Sequence, residues 1–222
     1  MSIKLVVWDW NGTLLDDAQI TVDAVNTAVL PLLNLSPVSL DEYREVFEVP
    51  IVNNYINMGV SKEEFLEKSE QISHAFHSHY EPLAAHAHLR EGAQKLLVSL
   101  KESGISSIIL SNHTLEGIYL QLGRLNISEL FDEVLANGDK EQVHHSGKKH
   151  RLEAFLQDSD YSPHEVVIVG DTAEEVSIGS SLGLHTIAIT GGFSSRTRLV
   201  ATKPDHLISS LKQVLTILEE LA

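Results

Sequence analysis

The chain contains no cysteine, which excludes disulfides, thiolate metal sites and cysteine nucleophiles and fits a reducing interior. Basic residues are scarce: 16 Lys and Arg face 31 Asp and Glu, for a formal charge of −15. A surface that acidic repels polyphosphate backbones and anionic headgroups, so no nucleic-acid partner and no membrane partner is expected. No apolar run approaches the roughly 18 residues of a membrane span, and no basic-then-apolar leader opens the sequence. The expected location is therefore cytoplasmic. Internal repeats, low-complexity tracts and long Pro/Gly/Ser linkers are also absent.

What is present is an ordinary globular composition, 43% hydrophobic and 21% charged over 222 residues, enough for one large domain or a core with an insertion. Short, nearly continuous apolar runs recur at residues 3 to 8, Ser106 to Leu110, Glu133 to Ala136, Val166 to Gly170 and Thr186 to Thr190. They read as central strands of a parallel sheet, apolar on both faces. Helical periods separate them. Ala93, Leu96, Leu97 and Leu100 fall at i, i+3, i+4 and i+7 before Gly104, and a stripe from Ile208 through Leu211, Val214, Leu215 and Leu218 to Leu221 closes the chain. This alternation predicts an α/β fold, a doubly wound, Rossmann-like parallel sheet.

The interval after the first strand is too long for one crossover. Ile20, Val22, Val25, Val29 and Leu32 share a helical period, and capping boxes at Ser39/Glu42 and Ser61/Glu64 open further helices. The expected organisation is a core of residues 1–15 and 86–222 with an inserted all-helical cap of residues 16–85, hinged near Asp16 and His86. The cap stretch from Glu45 to Ile51, with Asn53 and Asn54, is a candidate pocket lining. His74, His77 and His79, with His86 and His88, suggest a metal site, but His79 leaves the face shared by His74 and His77, so a solvated helix surface is expected.

Four strand-linked segments carry groups suited to phosphoryl transfer. Asp9 follows the first strand, Ser111-Asn112-His113 follow the second, Lys148 opens a helix, and Asp171 follows Val166 to Gly170. In such a sheet they meet at one edge. A carboxylate attacks a phosphate dianion only when a cation screens the repulsion, and Mg²⁺ prefers carboxylate oxygens such as those of Asp9 and Asp171. Ser111 and nearby N–H groups suit a phosphoryl oxygen, and a lysine offsets the charge of the transition state. Taken singly, Asp9 reads as a turn cap, Ser111 as a helix cap and Lys148 as a solvated charge. Their joint order favours a site.

Asp9-Trp10-Asn11-Gly12-Thr13-Leu14, Ile109-Leu110-Ser111-Asn112, Lys148 and Gly170-Asp171 with Glu175 resemble the four motifs of the haloacid dehalogenase-like hydrolase superfamily. Its members are mainly Mg²⁺-dependent phosphatases. The resemblance implies that Asp9 is the nucleophile and a metal ligand, that Asp171 and Glu175 serve the metal, and that Ser111 and Lys148 are catalytic. Gly12, Thr13, Asn112 and His113 are the candidate substrate-binding residues. Position 11 departs from the pattern. The family contributes a backbone carbonyl to the metal there and an aspartate as general acid/base; Asn11 keeps the first and lacks the second. Lys149, adjacent to Lys148, is the reserve lysine, and His113 is a candidate substitute for the missing acid.

The implied function is Mg²⁺-dependent hydrolysis of a small phosphorylated metabolite through an aspartyl-phosphate, slowed at Asn11 and most so for alkyl leaving groups. The alternative is a catalytically impaired member with a phosphate-binding or regulatory role. Substrate identity and oligomeric state stay open.

Overall fold

The computed structural model describes residues 2–138 and 147–221. Strand β1 (Leu5–Trp8) is buried along its whole length and ends at Asp9. A two-residue β2 (Leu15–Asp16) leads into helical structure. Helix α1 (Ala18–Ala24) continues through a π-turn at Val25–Val29 and a 3₁₀ turn at Leu30–Leu33. After it come α2 (Leu40–Val46), α3 (Ile51–Asn57), α4 (Lys62–Glu67) and α5 (Ser69–Ala84). The Ser39/Glu42 pair forms a complete capping box, and the Ser61 hydroxyl accepts from the Glu64 N–H. The chain returns through β3 (His88–Leu89), which pairs antiparallel with β2. This short ribbon lies beside both expected hinge points.

The remainder alternates: α6 (Ala93–Glu102), β4 (Ser106–Thr114), α7 (Leu115–Leu125), β5 (Glu133–Asn137), α8 (Lys148–Gln157), β6 (Val166–Gly170), α9 (Ala173–Leu182), β7 (His185–Ile189), α10 (Arg196–Ala201), β8 (His206–Ile208) and α11 (Gln213–Glu220). The six main strands form a parallel sheet in the order β5-β4-β1-β6-β7-β8. β1 alternates between its two faces as a pleated strand must. Val6 and Trp8 join the layer containing Leu97 of α6, Ile118 of α7 and Val214 of α11, while Leu5 and Val7 join Leu152 of α8 and Ile178 of α9. Burial on both faces is why these strands are nearly uninterrupted apolar runs.

Three local expectations change. Ile208 lies in the edge strand β8 and not in the closing helix, which begins at Gln213. Its spacing from Leu211 imitates a helical period, and both are buried in the same layer. β4 extends through Ser111-Asn112-His113 to Thr114, with an irregularity after Leu110. The Ser111 hydroxyl accepts from the His113 N–H, and Thr114 caps α7. Finally, the histidines of α5 are not uniformly solvated. His74 and His79 are exposed, whereas His77 is 7% exposed and pairs with Glu81. Among the described residues no helix is long and apolar enough to cross a membrane.

Candidate active site

β1 lies between β4 and β6, so its carboxyl end opens at the point where the winding reverses. Asp9 emerges there, its N–H bonded to the Val169 carbonyl of β6. The residue is 5% exposed. Lys148, the first residue of α8, reaches across the sheet edge and donates to Asp9 Oδ1 at 2.6 Å and to Glu175 Oε1 at 2.5 Å. Glu174 Oε2 lies 3.7 Å from the same ammonium. At 3% exposure Lys148 is not a solvated charge. Lys149 points outward, about half exposed, beside Glu153.

The Asp171 carboxylate receives the Thr13 hydroxyl at 2.8 Å and the Phe193 N–H at 2.5 Å. Glu175 accepts from the backbone and hydroxyl of Thr172, closing a capping box on α9. Gly12 adopts φ +77°, and a Cβ there would stand 2.6 Å from Asp171 Oδ2, so conformation and space both require glycine. Asn112 donates to Glu174 and accepts on its backbone carbonyl from Asn137. Arg151, one turn beyond Lys148, ties the Ser111 carbonyl to the Asn137 side chain. Asp9, Lys148, Asp171 and Glu175 thus form one buried cluster. Thr13 serves Asp171, and Ser111, Asn112 and His113 lie along the neighbouring strand end.

Position 11 has a partner that sequence reading missed. Asn11 Nδ2 donates to Asp17 Oδ2 at 2.7 Å and to the Tyr80 hydroxyl at 2.8 Å. Tyr80 in turn donates to Asp17 at 2.6 Å, and Gly12 N–H donates to Asp17 Oδ1 at 2.8 Å. Asp17 is fully buried, and burial raises its pKa to about 6 against the pull of these three donors. Its neighbour Asp16 gave the only local hint, a second carboxylate after the Gly-Thr turn.

Burial also pushes Asp9 well above the ordinary carboxylate range, with Glu175 and Asp171 adding to the effect and Lys148 opposing it. Asp171 is raised by burial and by Glu175. Burial alone would lower the Lys148 pKa; Asp9, Glu175 and Glu174 outweigh it and hold the ammonium charged. Three buried carboxylates, Asp9, Asp171 and Glu175, surround that ammonium, which pairs with Asp9 and Glu175. Excess buried negative charge on oxygen donors fits a hard divalent cation in charge and ligand type. In this arrangement Glu175 is turned to Lys148 and Asp171 to Thr13, and among the described residues no three acidic or histidine side chains converge as a metal-ligand group.

The helical segment closes against this edge. Arg44 of α2 donates to the carbonyls of Gly191 and Gly192, each at 2.8 Å, and Phe47 stacks on Phe193 with centroids 5.0 Å apart. Between them lies a cavity of about 190 Å³ whose lining includes Asn11, Asp17, Tyr80, Asn112 and His113. Phe47, Val49 and Ile51 from the candidate pocket stretch also line it.

A parallel α/β sheet with a buried carboxylate–lysine pair at its switch point, roofed by inserted helices, defines a class of Rossmann-like hydrolases. The family model described as haloacid dehalogenase-like hydrolase matches residues 6–189, and the chain belongs to this family. The chain is 25% identical over 229 aligned positions to the pyrophosphatase PpaX of Bacillus cereus strain Q1, covering 100% of this chain and 99% of that protein. The crystal structure of a predicted phosphatase from Clostridium acetobutylicum has the same fold, with TM-score 0.83, 16% identity and coverage of 99% and 100%. A predicted phosphoglycolate phosphatase from Haemophilus somnus also superposes, with TM-score 0.75 and 18% identity over 98% of each chain.

Proposed function

We propose that this hydrolase is a Mg²⁺-dependent phosphatase that transfers the phosphoryl group of a small phosphorylated metabolite to Asp9. The observation that carries this reading is the buried Asp9 carboxylate held 2.6 Å from the Lys148 ammonium at the end of the central strand. Family membership and the phosphatase names of its relatives support it.

Asp9, the Asn11 backbone carbonyl and Asp171 would hold the ion, with Glu175 beside them. The bound ion supplies charge screening between a carboxylate and a phosphate dianion. Lys148 orients Asp9 and neutralises charge on the transferring group. Thr13 and the Phe193 N–H fix Asp171 in place. Ser111 and neighbouring backbone N–H groups would receive a phosphoryl oxygen.

Residues 16–85 act as a cap over a core of residues 1–15 and 86–222. The antiparallel β2/β3 ribbon supports that division, and the Arg44 contacts describe its closed form. Asn11 carries no transferable proton, and its amide hydrogens are committed to Asp17 and Tyr80. Hydrolysis is therefore best suited to leaving groups that depart as anions.

The test compares turnover of an activated phosphate ester by wild type and Asp9→Asn, each with Mg²⁺ and with a chelator. Turnover that needs both Asp9 and Mg²⁺ is expected. Equal turnover by Asp9→Asn would remove Asp9 as the nucleophile, and equal turnover with chelator would remove the metal.

A further inference from the structure

The cavity under the helices is unlike the cluster it adjoins. Its walls are mostly apolar and aromatic: Phe47 and Phe193 stack at one side, Phe76 and Tyr80 at another with centroids 5.1 Å apart, and Tyr43 and Ile72 fill between. Among the described residues no lysine or arginine lines it. A doubly charged leaving group such as phosphate, or a carboxylate-bearing one such as glycolate, would meet no lysine or arginine there, only the His77 and His113 imidazoles and the Asp17 carboxyl, at a heavy desolvation cost. The volume sets a second limit. An apolar cavity of about 150 Å³ accommodates benzene, so about 190 Å³ takes one ring-sized group and little more.

The third limit is chemical. The cavity opens onto Asn11, where the leaving oxygen would need a proton if it were an alkoxide. A phenol ionises near pH ~10 and an aliphatic alcohol only several units higher, so a phenolate departs far more readily unprotonated.

Resting on the phosphatase reading above, we infer that the substrate is a phosphate monoester of a single-ring, uncharged phenol, its ring held by Phe47, Phe76 and Tyr80. Asp9 Oδ bonds to phosphorus as the P–O(aryl) bond breaks. The bonding pair leaves on the phenolate, which takes its proton from water. A second water then cleaves the acyl phosphate, returning the Asp9 carboxylate and releasing inorganic phosphate.

The experiment measures kcat/KM with Mg²⁺ for phenyl phosphate, acetyl phosphate, pyrophosphate and 2-phosphoglycolate, on wild type, Asp9→Asn and Ser73→Phe. Ser73 lines the cavity on α5 without a place in the cluster, so phenylalanine there fills the ring site. Burying a ring contributes roughly 1.5–3 kcal/mol, or about 10- to 150-fold. Phenyl phosphate is expected to exceed pyrophosphate and 2-phosphoglycolate by at least that factor, and Ser73→Phe to lower phenyl phosphate about tenfold while sparing acetyl phosphate.

Inhibition of the wild type by phenylphosphonate and methylphosphonate needs no variant, and the phenyl compound is expected to bind at least about tenfold tighter. Equal inhibition by the two, or a preference for pyrophosphate or phosphoglycolate with Asp9-dependent turnover intact, overturns the aromatic assignment and leaves the phosphatase. Absence of Asp9-dependent turnover on all four substrates overturns both.

Discussion

Two regions meet at Asn11 and obey opposite rules. On one side Asp9, Asp171, Glu175 and Lys148 crowd buried charge into the carboxyl end of the sheet. On the other, Phe47, Phe76, Phe193 and Tyr80 enclose a mostly apolar space that no lysine or arginine lines among the described residues. On the proposed reading the first holds and transfers an anion and the second receives an apolar group. Their adjacency would then divide a substrate into a phosphoryl part and an apolar part, with the scissile bond near the boundary. Asn11 lies at that boundary with its amide tied to Asp17 and Tyr80.

The largest expected break comes from the charged side. Lys148→Ala leaves Asp9 and Glu175 buried without their ammonium, and removing one member of a buried ion pair costs about 3–5 kcal/mol. Urea denaturation of metal-free protein checks the stability, and phosphatase turnover is expected to fall with it. A variant as stable and active as wild type would mean that the cluster is held by something else.

Next comes the boundary. Asn11→Asp sets a new carboxyl within hydrogen-bond reach of Asp17, and two carboxyls so close share a proton instead of both ionising. That proton supplies the missing general acid, so turnover of alkyl phosphates is expected to rise about 10²-fold or more, with aryl phosphates changing little. Rates for a matched alkyl and aryl pair decide it; no alkyl gain would show that another group already delivers the proton.

The third effect is on pH. The folded-state pKa of Asp17, about 6, lies above its unfolded value near ~3.9. Its contribution to stability is therefore full below about pH 4 and lost as pH rises through about 6, a change of about 3 kcal/mol. Denaturation of the metal-free protein across that window is expected to show this fall, and Asp17→Asn to flatten it. An unchanged slope in the variant would assign the pH dependence to Asp9 and Asp171.

The charged side was largely legible in the sequence. β1, β4 and β6 are buried on both faces, so their apolar runs announce themselves, and Asp9, Ser111 and Asp171 follow from the register. The apolar side was legible only as a candidate stretch from Glu45 to Ile51. Its other walls, and the Asp17–Tyr80 bond, join residues far apart in the chain through helix packing that no local pattern encodes. Glu174 was missed because it and Glu175 share the first turn of α9 and only the fold shows that both approach Lys148. Ile208 was read with the closing helix because the three residues of β8 are too few to display a strand period.

The central claim is that the phosphoryl group passes through Asp9 while the rest of the substrate occupies the apolar side. Acid-quenched turnover of phenyl phosphate, followed by peptide mapping by mass spectrometry, tests it most directly. The account predicts a phosphoryl group on the peptide containing Asp9, lost in Asp9→Asn. A phosphoryl group mapped to His113, or steady turnover with Asp9 never modified, would contradict it.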